Sequence, residues 1–280
     1  MIADRESADV TRRLLARGDQ LLTEAGAAGL AARSDVLPAG LTARLQDLAH
    51  RLRQAAGGDT TVDIESALGT VQTHHLADET TPPLSAVLAA VRLVRWLRSS
   101  RETGGSLAAL AQRQSAVDSW VDAAVNDAYA GAADPVVAEA LGEVLSAVRT
   151  VRDAHDAEFA TALAAAAAAE EGTDVGYPGV DGPRVWLLEH VMRGVVIPLA
   201  QQHRTLLLVL DGMGAAVATE VLEDIRTSRA TWTEALLPGA RERACALAVL
   251  PSLTNVSRAS LLTGTRSTGG HDHERKGHSA

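Results

Sequence analysis

Two residues near the end of the sequence stand where a protein could do cation or phosphoryl chemistry. Asp211 follows the aliphatic run Leu206-Leu207-Leu208-Val209-Leu210 and precedes Gly212-Met213-Gly214. A carboxylate delivered by a buried strand to a glycine-bounded loop is well placed to bind a cation, because glycine lets another group approach closely. The competing role is a helix cap, in which the carboxylate accepts from backbone N–H groups at the start of the next helix. Thr254 follows Pro251-Ser252-Leu253 and precedes Asn255-Val256-Ser257-Arg258. A hydroxyl at a helix N-terminus lies in the positive field of unpaired N–H groups, which favours a phosphoryl or sulfuryl oxygen and the formation of an alkoxide. For Thr254, too, a simple capping role is open.

These residues need elements to position them. The run 206–210 is predicted as a strand buried on both faces, as in a parallel sheet. A helix is expected over 215–228, a second strand over 245–250 and a second helix over 256–263. Residues 185–202 are expected to form a helix with apolar positions Leu187, Leu188, Val191, Val195 and Leu199. Alternating strands and helices predict a parallel sheet, with the site where strand ends meet the following loops.

Ahead of this lies a mainly helical region, a bundle or array. Val10, Leu14, Leu15, Leu21 and Leu22 are spaced for one helix face, as are Leu41, Leu45, Leu48 and Leu52. Asp63 is placed to cap a short helix, Thr81-Pro82-Pro83 to start another, and Gly104-Gly105 to break the chain before a third. Asp134-Pro135 is a cap followed by proline, and the stripe from Val137 to Ala162, extended by Ala164–Ala169, predicts one long helix. The Gly/Pro/Asp-rich stretch 171–183 is expected to be a linker, dividing a helical region (1–181) from an α/β domain (182–280).

The formal charge of −9 argues against non-specific nucleic-acid binding by the whole surface. Aromatic residues make up only 2%, so the core must be built mostly from Ala, Leu and Val. Cys245 is the single cysteine, which excludes an internal disulfide and a cysteine zinc site. No apolar stretch reaches the ~18 residues of a membrane span, and the N-terminus has no basic region followed by an apolar run. A cytoplasmic protein is expected. Gly212-Met213-Gly214 resembles half of a dinucleotide fingerprint, but Val217 occupies its third glycine position, and no Gly-Lys-Ser/Thr of a phosphate loop occurs. His74-His75 is expected at the surface, His155 as a satisfied core histidine, and Trp96, Trp120, Trp186 and Trp232 as packing anchors.

The segment Thr254-Asn255-Val256-Ser257-Arg258-Ala259-Ser260-Leu261-Leu262-Thr263-Gly264 resembles the nucleophile segment of the alkaline-phosphatase superfamily. Thr254 falls on the nucleophile, Ser257-Arg258 on Ser-Arg and Thr263-Gly264 on Thr-Gly, while Val256 replaces the proline of the sulfatase branch. A threonine cannot become formylglycine, which disfavours a sulfatase. Asp211 matches the first metal-ligand Asp of that fold. Val209-Leu210-Asp211-Gly212-Met213-Gly214 together with the segment from Pro251 to Arg258 looks most like the PglZ family, the predicted phosphatase component of bacteriophage exclusion (BREX) systems. The helical region and glycine-rich end suggest the type 2 variety.

The resemblance implies a metal-dependent phosphatase or phosphodiesterase. Asp211 and Thr254 would lie at divalent cations, zinc being expected, with Thr254 as nucleophile and Asn255 and Arg258 holding non-bridging oxygens. Other defence proteins are implied as partners, while the phosphoester substrate and direct nucleic-acid binding stay open. The superfamily takes further Asp and His ligands from later strands, so the 280 residues are expected to be a piece of a larger protein, inactive alone. His271, Asp272, His273, Glu274 and His278 in the tail are weighed as local substitutes, with a solvated loop favoured. The alternative function is a helical scaffold that binds partner proteins and carries a vestigial phosphatase-like segment.

Overall fold

The computed structural model describes residues 2–78, 83–99, 104–168, 185–228, 232–237, 240 and 243–267. Its helices are α1 (Ile2–Glu24), α2 (Ala28–Ala31), α3 (Pro38–Ala56), α4 (Ile64–Gln72), α5 (Leu84–Arg98), α6 (Leu107–Arg113), α7 (Ser119–Ala128), α8 (Pro135–Ala168), α9 (Ile197–Gln202), α10 (Ala215–Thr227) and α11 (Thr254–Thr263). Two short strands, β1 (Val185–Leu187) and β2 (Cys245–Leu247), pair in parallel with Val185 opposite Cys245 and Leu187 opposite Leu247. The protein is thus mainly helical with a small parallel sheet, as expected.

Two compact units divide the chain: one holds residues 1–101 and 124–151, the other 102–123 and 152–280. The boundary expected at 181/182 and the linker at 171–183 lie outside the described residues, as do Thr81, Pro82 and the tail His271–His278. Helices α7 and α8 each run through both units.

The first unit is a helical assembly in which α3 packs against α4 and α5. Its core is aliphatic and small: Leu48, Leu52, Val71, Val87, Val91, Val94, Val137, Val144 and Val148 are all buried. The local signals that start its helices act as expected. The Asp63 carboxylate accepts from the Ser66 N–H at 2.9 Å, and Asp134 accepts from the Val136 and Val137 N–H groups at 2.9 and 3.1 Å. Helix α1 departs from expectation, since Val10, Leu14 and Leu21 are exposed. It is anchored instead near its end, where the Ala39 N–H donates to the Asp19 carboxylate at 2.9 Å. His74 also departs: it is buried, while His75 alone is exposed. The Leu76 N–H donates to His74 Nδ1 at 3.1 Å, and its ring lies so close to Gly40 that a Cβ there would come within 3.3 Å of Nε2.

In the second unit α6 packs against both strands, and Ala108, Ala111 and Val185 form a small core joined by Phe159, Cys245 and Leu247. After α6 the chain widens into one π-helical turn, Gln114–Asp118, before α7. That turn carries Asp118 into a buried ionic cluster. Arg152 Nη1 lies 2.8 Å and Arg113 Nε 3.7 Å from Asp118 Oδ2, and His155 Nδ1 is 3.1 Å from Oδ1. His155 is therefore the satisfied core histidine that its place in an apolar stripe predicts.

The sheet differs from expectation at both ends. Residues 185–187 form β1 where a helix was expected; a 3₁₀ turn (Leu188–His190), a π turn (Met192–Val196) and α9 follow. The run 206–210, expected as a buried strand, is exposed and unassigned, with Leu206 81% and Leu208 70% exposed. Its aliphatic side chains suit a strand, but strand pairing is non-local, and the two strands described here pair with each other. Trp232, expected as a packing anchor, is 75% exposed, whereas Trp96 and Trp186 are buried.

Candidate functional site

Helix α11 presents the candidate nucleophile. It starts with Leu253 as N-cap, an aliphatic residue with no side-chain atom to accept from the exposed N–H groups. The first intrahelical bond there runs from the Ser257 N–H to the Leu253 carbonyl at 2.8 Å, so the N–H groups of residues 254–256 are the first-turn donors without helical acceptors. Val256, Ala259, Ser260 and Leu261 face the interior and hold the helix in place. Thr254 and Asn255 are exposed, and Arg258, one turn after Thr254, is half-buried on the same side.

Beyond its first turns the helix closes on Gly264, whose φ of 69° is left-handed and whose N–H donates to the Ser260 carbonyl at 3.1 Å. The Arg193 guanidinium sits against Gly264, so a Cβ at that position would lie 3.1 Å from Nε. The following loop is tied back by the Ser267 N–H donating to Ser260 Oγ at 3.0 Å and by Arg266 facing the buried Glu189 at 3.6 Å.

Asp211 comes to this helix from 43 residues earlier. Thr254 Oγ1 donates to Asp211 Oδ1 at 3.4 Å. The capping role is answered by the same geometry: the N-cap of α10 is Gly214, which makes no side-chain cap bond. Asp211 thus faces the Thr254 hydroxyl rather than the start of its own helix. Gly212, with a φ of 74°, makes the turn that carries the chain from Asp211 into α10.

Of the residues singled out for chemistry, the structure brings Asp211 and Thr254 together and sets Asn255 and Arg258 on the same helical turn. No group of three or more His, Cys, Asp or Glu residues with metal-holding geometry occurs among the described residues. Asp211 and Thr254 bring two oxygens within 3.4 Å of each other, whereas a divalent ion takes at least four donors. The two described oxygens do not by themselves make a metal centre.

Behind the site lies an apolar groove of about 560 Å³, lined by α10 (Ala215, Ala218, Thr219, Leu222), by residues 243–248 and by Ser252. Ser119 and Thr219 meet across its wall, with their hydroxyls 3.3 Å apart. Arg243, at its rim, is paired with Glu234, and that partner raises the arginine's pKa and lowers the carboxylate's. Sequence reasoning did not anticipate the groove or the Asp118 cluster. Arg113 and Asp118 are five residues apart, a spacing that only a π turn aligns on one side.

Residues 191–274 match the family model of PglZ, the BREX system PglZ alkaline phosphatase-like domain. The match includes Asp211, Thr254, Asn255 and Arg258. No curated protein and no solved structure matches the chain.

Proposed function

With a PglZ alkaline-phosphatase-like segment at residues 191–274, we propose that this chain belongs to the metal-dependent phosphoester hydrolase of a BREX phage-defence system, of the type 2 variety. The observation that carries the reading is the 3.4 Å approach of Thr254 Oγ1 to Asp211 Oδ1 at the open N-terminus of α11.

Thr254 is the nucleophile in this reading. Its hydroxyl lies at a helix end whose unpaired N–H groups favour negative charge, so the field helps both a bound phosphoryl group and the alkoxide. Asp211 orients that hydroxyl by accepting its hydrogen bond. Asn255 and the Arg258 guanidinium hold non-bridging oxygens, arginine being suited to this by its planar fork of donors. When bound, a divalent cation, zinc by expectation, supplies Lewis-acid stabilisation of the reacting oxygens. Asp211 and Thr254 would hold it together with ligands outside the described residues. With two donors among the described residues, the chain by itself is proposed to show no turnover. Other proteins of the defence system are the proposed partners.

The test is phage protection by the complete system carrying Thr254→Ala or Asp211→Ala. The expected result is loss of protection to the undefended level with protein abundance unchanged. Full protection by both variants would overturn the hydrolase reading and leave the chain as a helical scaffold.

A further inference from the structure

We propose that His74 is a proton-operated latch between the turn after α4 and the loop between α2 and α3, closed while its ring is neutral and opened locally when the ring takes a second proton. The ring is buried, with 3% exposure. Its Nδ1 accepts from the Leu76 N–H at 3.1 Å. An accepting Nδ1 carries no hydrogen, so the neutral ring holds its proton on Nε2. That Nε2 is buried near the backbone of Ser34 and Leu37 and, among the described residues, has no partner at hydrogen-bond distance. Gly40 closes the same side: a Cβ there would meet the Ser34 carbonyl oxygen and come within 3.3 Å of Nε2.

The ring thus joins two segments that lie far apart in sequence. One is the turn 73–77, in which the His74 N–H donates to the Val71 carbonyl at 3.0 Å and the Ala77 N–H to the His74 carbonyl at 2.9 Å. The other is the loop 32–37, where Ser34 Oγ accepts from the Val36 and Leu37 N–H groups at 3.2 and 3.1 Å. One bond crosses between them, from the His75 N–H to the Asp35 carbonyl at 2.9 Å. The same stretch seats α1. Leu37 Cδ2 would lie 3.3 Å from a Cβ on Gly18, and the Ala39 N–H donates to Asp19.

A second proton can enter only at Nδ1. It would set an N–H against the Leu76 N–H, break that bond and leave a charge in the interior. A buried charge without a partner costs far more than a buried neutral group. The charged groups around the ring do not take it up. From α3, Arg44 has the same sign; from the loop, Asp35 is already paired with Arg44. From α1, Asp19 is engaged by Ala39. His75, on the same turn, is exposed. The imidazolium therefore reaches water by swinging out with its turn. Leu48, Leu52, Val87 and Val91 stay buried in α3 and α5 without help from the ring, so the opening is local. Nothing in this latch depends on the chemistry proposed for Thr254.

Amide hydrogen exchange of the whole chain, expressed as protection factors at pH 7.5 and pH 5.5, tests it. Protection of 34–37 and 74–77 is expected to fall about tenfold or more at the lower pH, while Val91 and Leu93 in α5 keep theirs. His74→Gln, whose amide oxygen can accept from the Leu76 N–H and takes no proton, is expected to hold protection constant. An equal fall in His74→Gln, a fall shared equally by α5, or no fall in the unsubstituted chain would overturn the proposal. Nitrogen-15 NMR of the ring gives a check that needs no variant. At pH 7.5 the proton is expected on Nε2, and a neutral ring protonated at Nδ1 would overturn the latch.

Discussion

Gly194 lies under the ring of Trp186, and a Cβ built there would come within 2.1 Å of Cζ3. Trp186 is in β1 and buried, so it has no free space to retreat into. Gly194→Ala is therefore expected to destabilise the second unit by about 1–3 kcal/mol, the usual penalty of overpacking, seen as a lower thermal midpoint. His74 is a second residue whose surroundings make a prediction. Burial lowers its pKa below 6.5, and the Arg44 charge lowers it further. The unfolded chain then binds a proton that the folded chain refuses. Stability contributed by neutral His74 is complete above about pH 6.5 and is lost as pH falls from there toward the folded value. Urea unfolding followed at pH 7.5 and pH 5.5 should show the midpoint falling with pH, and His74→Gln should flatten that fall. An unchanged slope in the variant would place the pH dependence elsewhere.

The second-unit segment of α8 is held to α6 and the π turn by charge as well as by Phe159. Asp118 is buried among Arg113, Arg152 and His155, and Arg152 also bonds Asp122 at 3.0 Å and Gln114 Oε1 at 3.2 Å. Burial alone would lower the Arg152 pKa, but the bond to Asp122 and the charges of Asp118, Asp122 and Asp156 raise it overall. Removing the shared carboxylate would take one buried counter-charge from both guanidinium groups, which keep Glu158 on Arg113 and Asp122 on Arg152. Asp118→Ala is expected to cost about 1–3 kcal/mol, measured by chemical denaturation. The start of α8 is a milder case. Asp134 caps the first turn and also accepts from Gln46 Nε2 at 2.8 Å, so Asp134→Ala should cost about 1 kcal/mol or slightly more. A larger loss there would mean that the link to α3 outweighs the cap.

Across the whole chain the formal charge is −9. A surface of that sign repels a phosphate backbone, and affinity built from counterion release needs clustered cations. Many of the arginines that the structure describes are engaged by carboxylates: Arg53 with Glu139 and Glu143, Arg95 with Glu65, Arg113 with Glu158. The chain is expected to show no measurable retardation of random-sequence duplex DNA at physiological salt. Tight, salt-sensitive binding in that assay would show a basic surface that composition conceals. Among the described residues no helix is long and apolar enough to cross a membrane.

Local chemistry was legible in advance because its partners lie within one helical turn. Asp63 and Asp134 cap the helices they precede, and Pro135 opens α8. The sequence also set Asp211 at the start of a loop after an apolar run and Thr254 at the start of a helix. What it could not determine is whatever depends on a partner far along the chain. Residues 185–187 have a helical apolar spacing, yet they become a strand because Val185–Leu187 find Cys245–Leu247. The run 206–210 has the composition of a buried strand and yet stands open, because pairing is decided by which edge is near. His74 is polar and still buried, because Gly40 leaves room for its ring. The meeting of Thr254 with Asp211 was implied by family resemblance, but only the tertiary structure brings the two oxygens to 3.4 Å. Side-chain type acts over a few residues, whereas distance between sites is a property of the assembled elements.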